Sequence, residues 1–580
     1  MTDTIRNPAE QAAEEALNNM YACIDKKKSF RLEAGAGAGK TYSLIKALKY
    51  LIGHQGGDLI RKHQQVACIT FTNVACGEIE SRTDRHPAIY SSTIHSFCWS
   101  IIKDFQPYLR KELPNIENWV ERLKEVGGIG TRSVGYDELG HRKVEDSHVS
   151  IHHDDVLTLT IKLMEHEKFR NLLAMHYPII FIDEYQDTDK EFAESLKKHF
   201  IETGEGPLIG FFGDHWQKIY GSGCGKIEHP ALEIIGKKAN FRSVPVIVSA
   251  LNRMRPELPQ EVKDPNAKGY VALYHTNERM EKRRTGQHWD GDLPPDIAHG
   301  CLEALIKQLT AEEWDFSPDV TKILMLTHKV LAAKQGYCNI ANVFSYADSY
   351  IKKEDIHIAF LVDIVEPVCI AYGNRHFGEM FSVLGNRTLA IRSHSDKVAW
   401  SKDMDRLLVL RDTSTIGEVL DHLQKSKRPR LPEAVERRAH ELEQQGQVPK
   451  ADESSSITRL RELSGISYKE VSALARFINE QTPFVTKHGV KGAEFENVLV
   501  VFGRGWNHYN FNQFLEWAGN PATIPSDKIE AFERNRNLFY VVCSRPKKRL
   551  AMLFTQKLSD KALATLAGWF GSKAINSLHC

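Results

Sequence analysis

The chain has 580 residues, 42% of them hydrophobic and 26% charged, with a formal net charge of +1. At roughly 100–200 residues per domain that is about three to five domains, which excludes a peptide, a small disulfide scaffold and a one-domain binding module. The balanced charge excludes a protein basic over its whole surface, but not a nucleic-acid site, because local patches steer ligands and net charge does not.

Ten cysteines are scattered along the chain, none paired at the two-residue spacing of zinc ribbons or iron–sulfur sites. That pattern suits reduced thiols in a cytosol. The first residues, MTDTIRNPAEQ, contain no apolar run, so no signal peptide is expected. The longest apolar stretch, residues 359–372, carries Asp363, Glu366 and Pro367, too short and too charged to span a bilayer. The expected setting is soluble and cytoplasmic, with no membrane partner.

In chain order, residues 29–45 (SFRLEAGAGAGKTYSLI) read as a short strand, a Gly/Ala loop and a helix start. The runs at 66–72, 177–185 and 207–214 read as strands, and the last two end in acidic residues, as parallel strands buried on both faces do. Helical stretches such as 189–200 alternate with them, which predicts a doubly wound α/β sheet. A second strand set comes at 322–328, 496–503 and 549–554, with a charged, irregular stretch at 425–450 between its members. The reading is two doubly wound parallel-sheet cores, each interrupted by a mainly helical insertion. The first core takes residues 1–95 and 176–248 around an insertion at 96–175. The second takes 249–349 and 479–580 around an insertion at 350–478.

The strongest motif is Ala34-Gly35-Ala36-Gly37-Ala38-Gly39-Lys40-Thr41. Glycines let backbone N–H groups wrap phosphate oxygens, and the helix after them offers its positive end. Lys40 is placed to reach the β- and γ-phosphates of ATP, and Thr41 to give a hydroxyl to Mg²⁺. Asp183-Glu184 ends the strand PIIFI: one carboxylate there can hold Mg²⁺ and its neighbour can deprotonate the attacking water. We assign Asp183 and Glu184 those roles. The bland alternative is a helix start whose acids complement the dipole. His152-His153-Asp154-Asp155 suggests a metal phosphohydrolase only weakly, because no partner His or distant Asp presents itself.

With these motifs in this order the chain resembles the superfamily-one DNA helicases of the UvrD/Rep/PcrA type, whose fold is two RecA-like cores. The resemblance implies a role for each matching residue. Gln11 matches an adenine-reading Gln. Thr72 and Asn73 (in ITFTN) and His95 (in TIHSF) match segments that touch single-stranded DNA. Gln217 (in GDHWQ) matches the γ-phosphate sensor. In Asn240-Phe241-Arg242-Ser243, Arg242 matches a γ-phosphate contact and Phe241 a ring stacked on adenine. The stretch 486–495 is similar to the family's TLHSAKGLEF pattern, putting Thr486 and His488 near DNA and Glu494 on the nucleotide sugar. Arg545 matches the arginine finger.

Two departures stand out. The base-stacking Trp usual after Tyr220 is absent, leaving Tyr220 and Trp216 for that work, and Tyr42 stands where the family often has Arg. The implied activity is Mg²⁺-dependent ATP hydrolysis stimulated by single-stranded or partly duplex DNA, with 3′ to 5′ movement. The second insertion is short for the family. The chain therefore also resembles the compact UvrD-like subunit of bacterial anti-phage systems such as Gabija, which pairs with an OLD-family nuclease; the alternative function is a DNA-sensing ATPase that regulates that partner and unwinds little itself.

Overall fold

The computed structural model describes residues 7–578 apart from 137–141, 220, 222, 287–288, 326–331, 333–334, 346–347, 386–390, 446–454, 480, 486–492 and 505–508. The protein is α/β and divides into two compact units. Unit 1 comprises residues 1–272, 509–550 and 559–575; unit 2 comprises 273–508, 551–558 and 576–580.

Unit 1 is organised on a six-stranded sheet of β1 (Phe30–Ala34), β2 (Val66–Thr70), β3 (Ile89–Thr93), β7 (Ile179–Asp183), β8 (Leu208–Gly213) and β9 (Glu233–Lys237). Three further short strands, β4 (Ser133–Tyr136), β5 (Lys143–Val144) and β6 (His148–Ile151), form a separate small sheet inside the segment read as a helical insertion. The main sheet runs in the order β3-β2-β7-β8-β1-β9, and every pairing is parallel. β1, β2, β7 and β8 are buried along their whole length, and β2, β7 and β8 are accordingly near-continuous apolar runs, whereas β1 carries the buried charges Arg31 and Glu33. Phe30, Phe181 and Phe212 meet edge to face in this core. Gly210 leaves room for them: a Cβ there would lie 2.7 Å from Phe181 and 2.8 Å from Phe30.

Among the helices of unit 1 are α1 (Pro8–Asp25), α2 (Lys40–Arg61), α3 (Asn73–Arg82), α4 (Ile94–Ile102), α5 (Gln106–Glu112), α6 (Glu117–Glu125), α7 (His153–Met164), α8 (Glu167–His176), α9 (Lys190–Leu196) and α10 (Pro245–Met254). The His152–Asp155 cluster proves to be the start of α7. His152 and Asp155 form a reciprocal capping box. The buried Asp155 carboxylate also accepts from Trp119 Nε1 at 2.9 Å and from the Arg142 guanidinium at 2.8 and 2.9 Å. Its lone pairs are spent on structure.

A second six-stranded sheet is ordered β14-β13-β15-β16-β12-β17, from β12 (Tyr270–His275), β13 (Thr321–Met325), β14 (Phe484–Val485), β15 (Phe495–Phe502), β16 (Pro546–Phe554) and β17 (Ile575–Ser577); two-residue β10 and β11 (Ala239–Asn240, Glu261–Val262) pair apart from both large sheets. β13 pairs in parallel with β14 and β15. Helices dominate the described residues between 338 and 478. Among the described residues, Ser349–Gly373 is the one helical stretch long and apolar enough to cross a membrane, and 56% of its most apolar window is buried inside the protein. Within it Glu366 pairs with Arg411 through two hydrogen bonds of 2.7 and 2.8 Å, as a helix of the protein's own core would.

Candidate nucleotide site

In an open parallel sheet, ligands bind beyond the carboxyl ends of the strands. Here β1 ends at Ala34, β7 at Asp183 and β8 at Gly213, and the chain beyond each carries a sequence-predicted residue. After β1 comes the loop 35–39. Gly37 and Gly39 take positive φ of 74° and 73°, a conformation L side chains avoid. A Cβ on Gly37 would also lie 2.8 Å from both Arg242 Cβ and Asn240 Oδ1. The Asn240 amide holds the loop from the far side. Its Nδ2 donates to Ala36 O at 3.0 Å, and its Oδ1 accepts from the backbone N–H of Arg242 and Ser243, each at 2.9 Å. Gln260 Nε2 donates to the same Ala36 carbonyl at 3.1 Å. Phe241 N–H donates to Gly37 O at 2.9 Å. The motif around Arg242 therefore also forms the wall of the phosphate loop.

Lys40 opens α2, and its Nζ donates to Glu184 Oε2 at 2.8 Å. Glu184 has φ of 48°, a left-handed conformation rare for a residue with a Cβ and costing about 1–2 kcal/mol. Asp183 Oδ1 accepts the Glu184 N–H at 3.0 Å, and Gln186 Nε2 donates to Glu184 Oε2. Strain at the end of β7 thus turns the second carboxylate toward the loop lysine. The Thr41 hydroxyl and the Asp183 carboxylate are hard oxygen donors, a set that suits Mg²⁺. Beyond β8, Gln217 donates from Nε2 to Asp214 Oδ2 at 2.7 Å and accepts from Arg545 Nη2 at 3.2 Å. Arg545 is 1% exposed and also donates from Nε to Val541 O at 3.0 Å. Burial, and after it the Arg242 guanidinium, lower the Arg545 pKa, while Glu184 opposes them. Arg242 Nη1 donates to Ser544 O at 3.2 Å, beside Arg545.

A buried charge network lies behind these groups, and the motif reading missed it. Glu33, the last residue but one of β1, accepts from His215 Nδ1 at 2.6 Å, Tyr185 OH at 2.7 Å and Arg255 Nη2 at 3.0 Å. Arg31 Nε lies 3.2 Å from its other oxygen. Arg255 is 2% exposed; its Nη1 donates to Asp214 Oδ1 at 2.6 Å, and its guanidinium lies 5.2 Å from the centre of the Trp216 ring. Burial alone would raise the Glu33 carboxyl, yet His215, Arg255 and Arg31 hold it well below the usual carboxylate range. Glu33, Asp214 and His215 lie close enough to hold a metal, but the Arg255 guanidinium already bridges both acids. The signal in the sequence was an acid inside an apolar strand, and its partners are not local to it.

The remaining predicted residues fall in several places. Gln11 is on the exposed side of α1, and Phe241 is 38% exposed at the wall of a cavity beside the phosphate loop. Thr72 caps α3, its hydroxyl accepting from Ala75 N at 3.2 Å, and the exposed Asn73 starts that helix. His95, on α4, packs on His153 at 5.0 Å; burial, and then the neighbouring His153, push its pKa down to about 4. Glu494 is exposed ahead of β15 in unit 2. Tyr220, Thr486 and His488 lie outside the described residues.

Comparison with known proteins gives the setting for this geometry. Residues 17–223 match the AAA domain family, and residues 347–557 match the UvrD-like helicase C-terminal domain. The Gabija protein GajB of Bacillus cereus is 23% identical, over 94% of this chain and 96% of its own. The chain is homologous to GajB and to the Rep, PcrA and UvrD helicases. The ATP-dependent DNA helicase Rep of Escherichia coli is 24% identical, over 42% of each chain. The ATP-dependent DNA helicase PcrA of Bacillus subtilis is 25% identical, over 38% of this chain and 37% of its own. The UvrD-like similarity thus covers much of the chain, and the similarity to GajB runs nearly the full length of both proteins.

Proposed function

We propose that this protein is an ATP-dependent DNA translocase or helicase built on two RecA-like cores, hydrolysing ATP with Mg²⁺ under stimulation by single-stranded DNA and moving 3′ to 5′. The observation that carries this reading is the Lys40–Glu184 pair at the mouth of the phosphate loop, with the buried Arg545–Gln217 pair in the same unit. In this reading Lys40 leaves Glu184 for the phosphates, and Glu184 is then free to orient water and accept its proton. Gln217 senses the γ-phosphate, while Arg242 and Arg545 meet the charge that develops on it. Phe241 and Gln11 hold adenine. Thr41 and Asp183 hold Mg²⁺, which shields the phosphate charge when bound.

A second reading is supported by the near end-to-end match to GajB. It is a DNA-sensing ATPase that regulates a partner nuclease of the OLD family and unwinds little alone. One experiment tests both: ATPase and duplex unwinding, with and without single-stranded DNA, alone and with the product of the neighbouring gene. DNA-stimulated ATPase with unwinding by the isolated chain supports the first reading. DNA-stimulated ATPase with negligible unwinding and altered nuclease activity supports the second. ATP hydrolysis indifferent to any DNA would overturn both.

A further inference from the structure

A cavity of about 740 Å³ opens beside the phosphate loop in unit 1. Its lining includes Gly39, Tyr42, Lys46, Phe241 and Lys237. Tyr42 and Phe241 are 50% and 38% exposed, so two aromatic faces stand open to a flat ligand. Lys237 is different. It ends β9, is 0% exposed, and lies outside the phosphate-loop, strand-end and helicase-type motifs.

Its ammonium donates to Gly39 O at 3.0 Å and to Ser43 Oγ at 2.7 Å, the residue before α2 and one on its first turn. It stands 5.6 Å from the centre of the Tyr42 ring and 6.0 Å from that of Phe241. No carboxylate pairs with it among the described residues. An ammonium has three donors, and two are spent. A buried charge without a counter-ion is costly, and an apolar residue would fill the same place more cheaply. Neither bond needs the lysine for the loop's sake: Gly39 O already accepts from the Ser43 N–H at 3.2 Å. The third N–H is left at the wall of a cavity that the rings of Tyr42 and Phe241 line, together with Glu10, Glu14 and Lys46.

We propose that Lys237 is a second lysine of the nucleotide site, binding the adenosine end of ATP where Lys40 takes the terminal phosphates. The two aromatic faces stack the purine, and Lys237 donates its remaining N–H to an acceptor on the base or sugar. This rests on the reading of the loop as an ATP site, and it adds a contact which that reading does not contain.

The test compares nucleotide binding and turnover in Lys237→Met, Lys237→Gln and the unaltered chain, using ATP and inorganic tripolyphosphate as probes. Methionine matches the lysine in length, and it removes an uncompensated buried charge, so Lys237→Met should melt at the same temperature or higher. Its Kd for ATP should rise by about tenfold, the loss expected for a hydrogen bond from a charged donor. kcat at saturating ATP should hold within about threefold, because uniform binding is lost and not transition-state stabilisation. Tripolyphosphate, which has no adenosine, should bind the variant as it binds the unaltered chain. Lys237→Gln, which keeps a donor for Gly39 O without the charge, should not restore ATP affinity. Equal losses for ATP and tripolyphosphate, rescue by Gln, or no loss at all would each overturn the inference. An unaltered chain that fails to bind ATP would overturn instead the reading on which it rests.

Discussion

Glu184 shows how one residue's backbone serves its side chain. Its φ of 48° is unfavourable for any residue with a Cβ, and the Asp183 carboxylate holds it there by accepting its N–H. The reward is a carboxylate aimed at Lys40 from the end of β7, across β8 from the strand that leads into the loop. Glu184→Gln keeps the side chain's shape and its hydrogen bond to Lys40 but removes the base. It should bind ATP with affinity within about threefold of the unaltered chain and lose at least about 10²-fold in turnover, the lower end of what a positioned base contributes. Lys40→Ala should lose both binding and turnover, because the phosphates lose their point charge. Equilibrium binding of a fluorescent ATP analogue beside a steady-state ATPase assay separates the two. A Glu184→Gln enzyme that turns over normally would make Glu184 a structural acid.

At the scale of elements, the ends of β1 and β8 and the residue after α10 are joined by the network of Glu33, Asp214, His215 and Arg255. Removing one partner from a buried ion pair leaves an uncompensated charge and typically costs about 3–5 kcal/mol. Arg255→Leu should therefore lower the unfolding free energy by about that amount in urea melts. The Glu33→Leu/Arg255→Leu double variant should lose less than the sum of the singles, because residues in one network are coupled. The network also makes a statement about pH. The folded Glu33 carboxyl lies below its ordinary value of 4.5, so its contribution is fully present above pH 4.5 and is lost as pH falls below it. Thermal melts from pH 7 down to about pH 3 should show Glu33→Gln starting below the unaltered chain and converging on it as acid is added. Parallel curves would mean that Glu33 carries no such linkage.

Across the whole molecule, Arg545 stands about 500 residues beyond the phosphate loop, yet its guanidinium touches Gln217 in the same compact unit. An arginine that acts on charge developing in the transition state is worth about 10³–10⁵ in rate in phosphoryl-transfer enzymes. Arg545→Ala should lower kcat strongly and nucleotide affinity much less, and Arg545→Lys should rescue poorly because a point charge lacks the planar fork. Buried as it is, Arg545 also has a packing role, so the melting temperature of each variant is measured alongside. Normal hydrolysis by Arg545→Ala in saturating single-stranded DNA would remove it from the chemistry.

Much of this was legible in the chain of residues alone. The phosphate loop, the buried strands β1, β2, β7 and β8, and the acidic pair ending β7 are each written in fewer than ten consecutive residues, because backbone conformation and two-sided burial leave local patterns. The strand runs read at 322–328, 496–503 and 549–554 correspond to β13, β15 and β16 within a few residues. The small sheet of β4–β6 was not legible: its strands are two to four residues long, too short to show a period. Nor could the motifs say that residues 509–550 pack into unit 1, that Asn240 and Gln260 hold the phosphate loop, or that Glu33 has Arg255 as its partner. Those facts join residues some 200 to 500 positions apart, and a buried charge is tolerable only where the fold brings its partner. Sequence by itself determined the chemistry offered at each strand end; the tertiary structure alone decided which distant cations and carboxylates meet there, because pairing across the fold depends on packing and leaves no periodic trace in the chain.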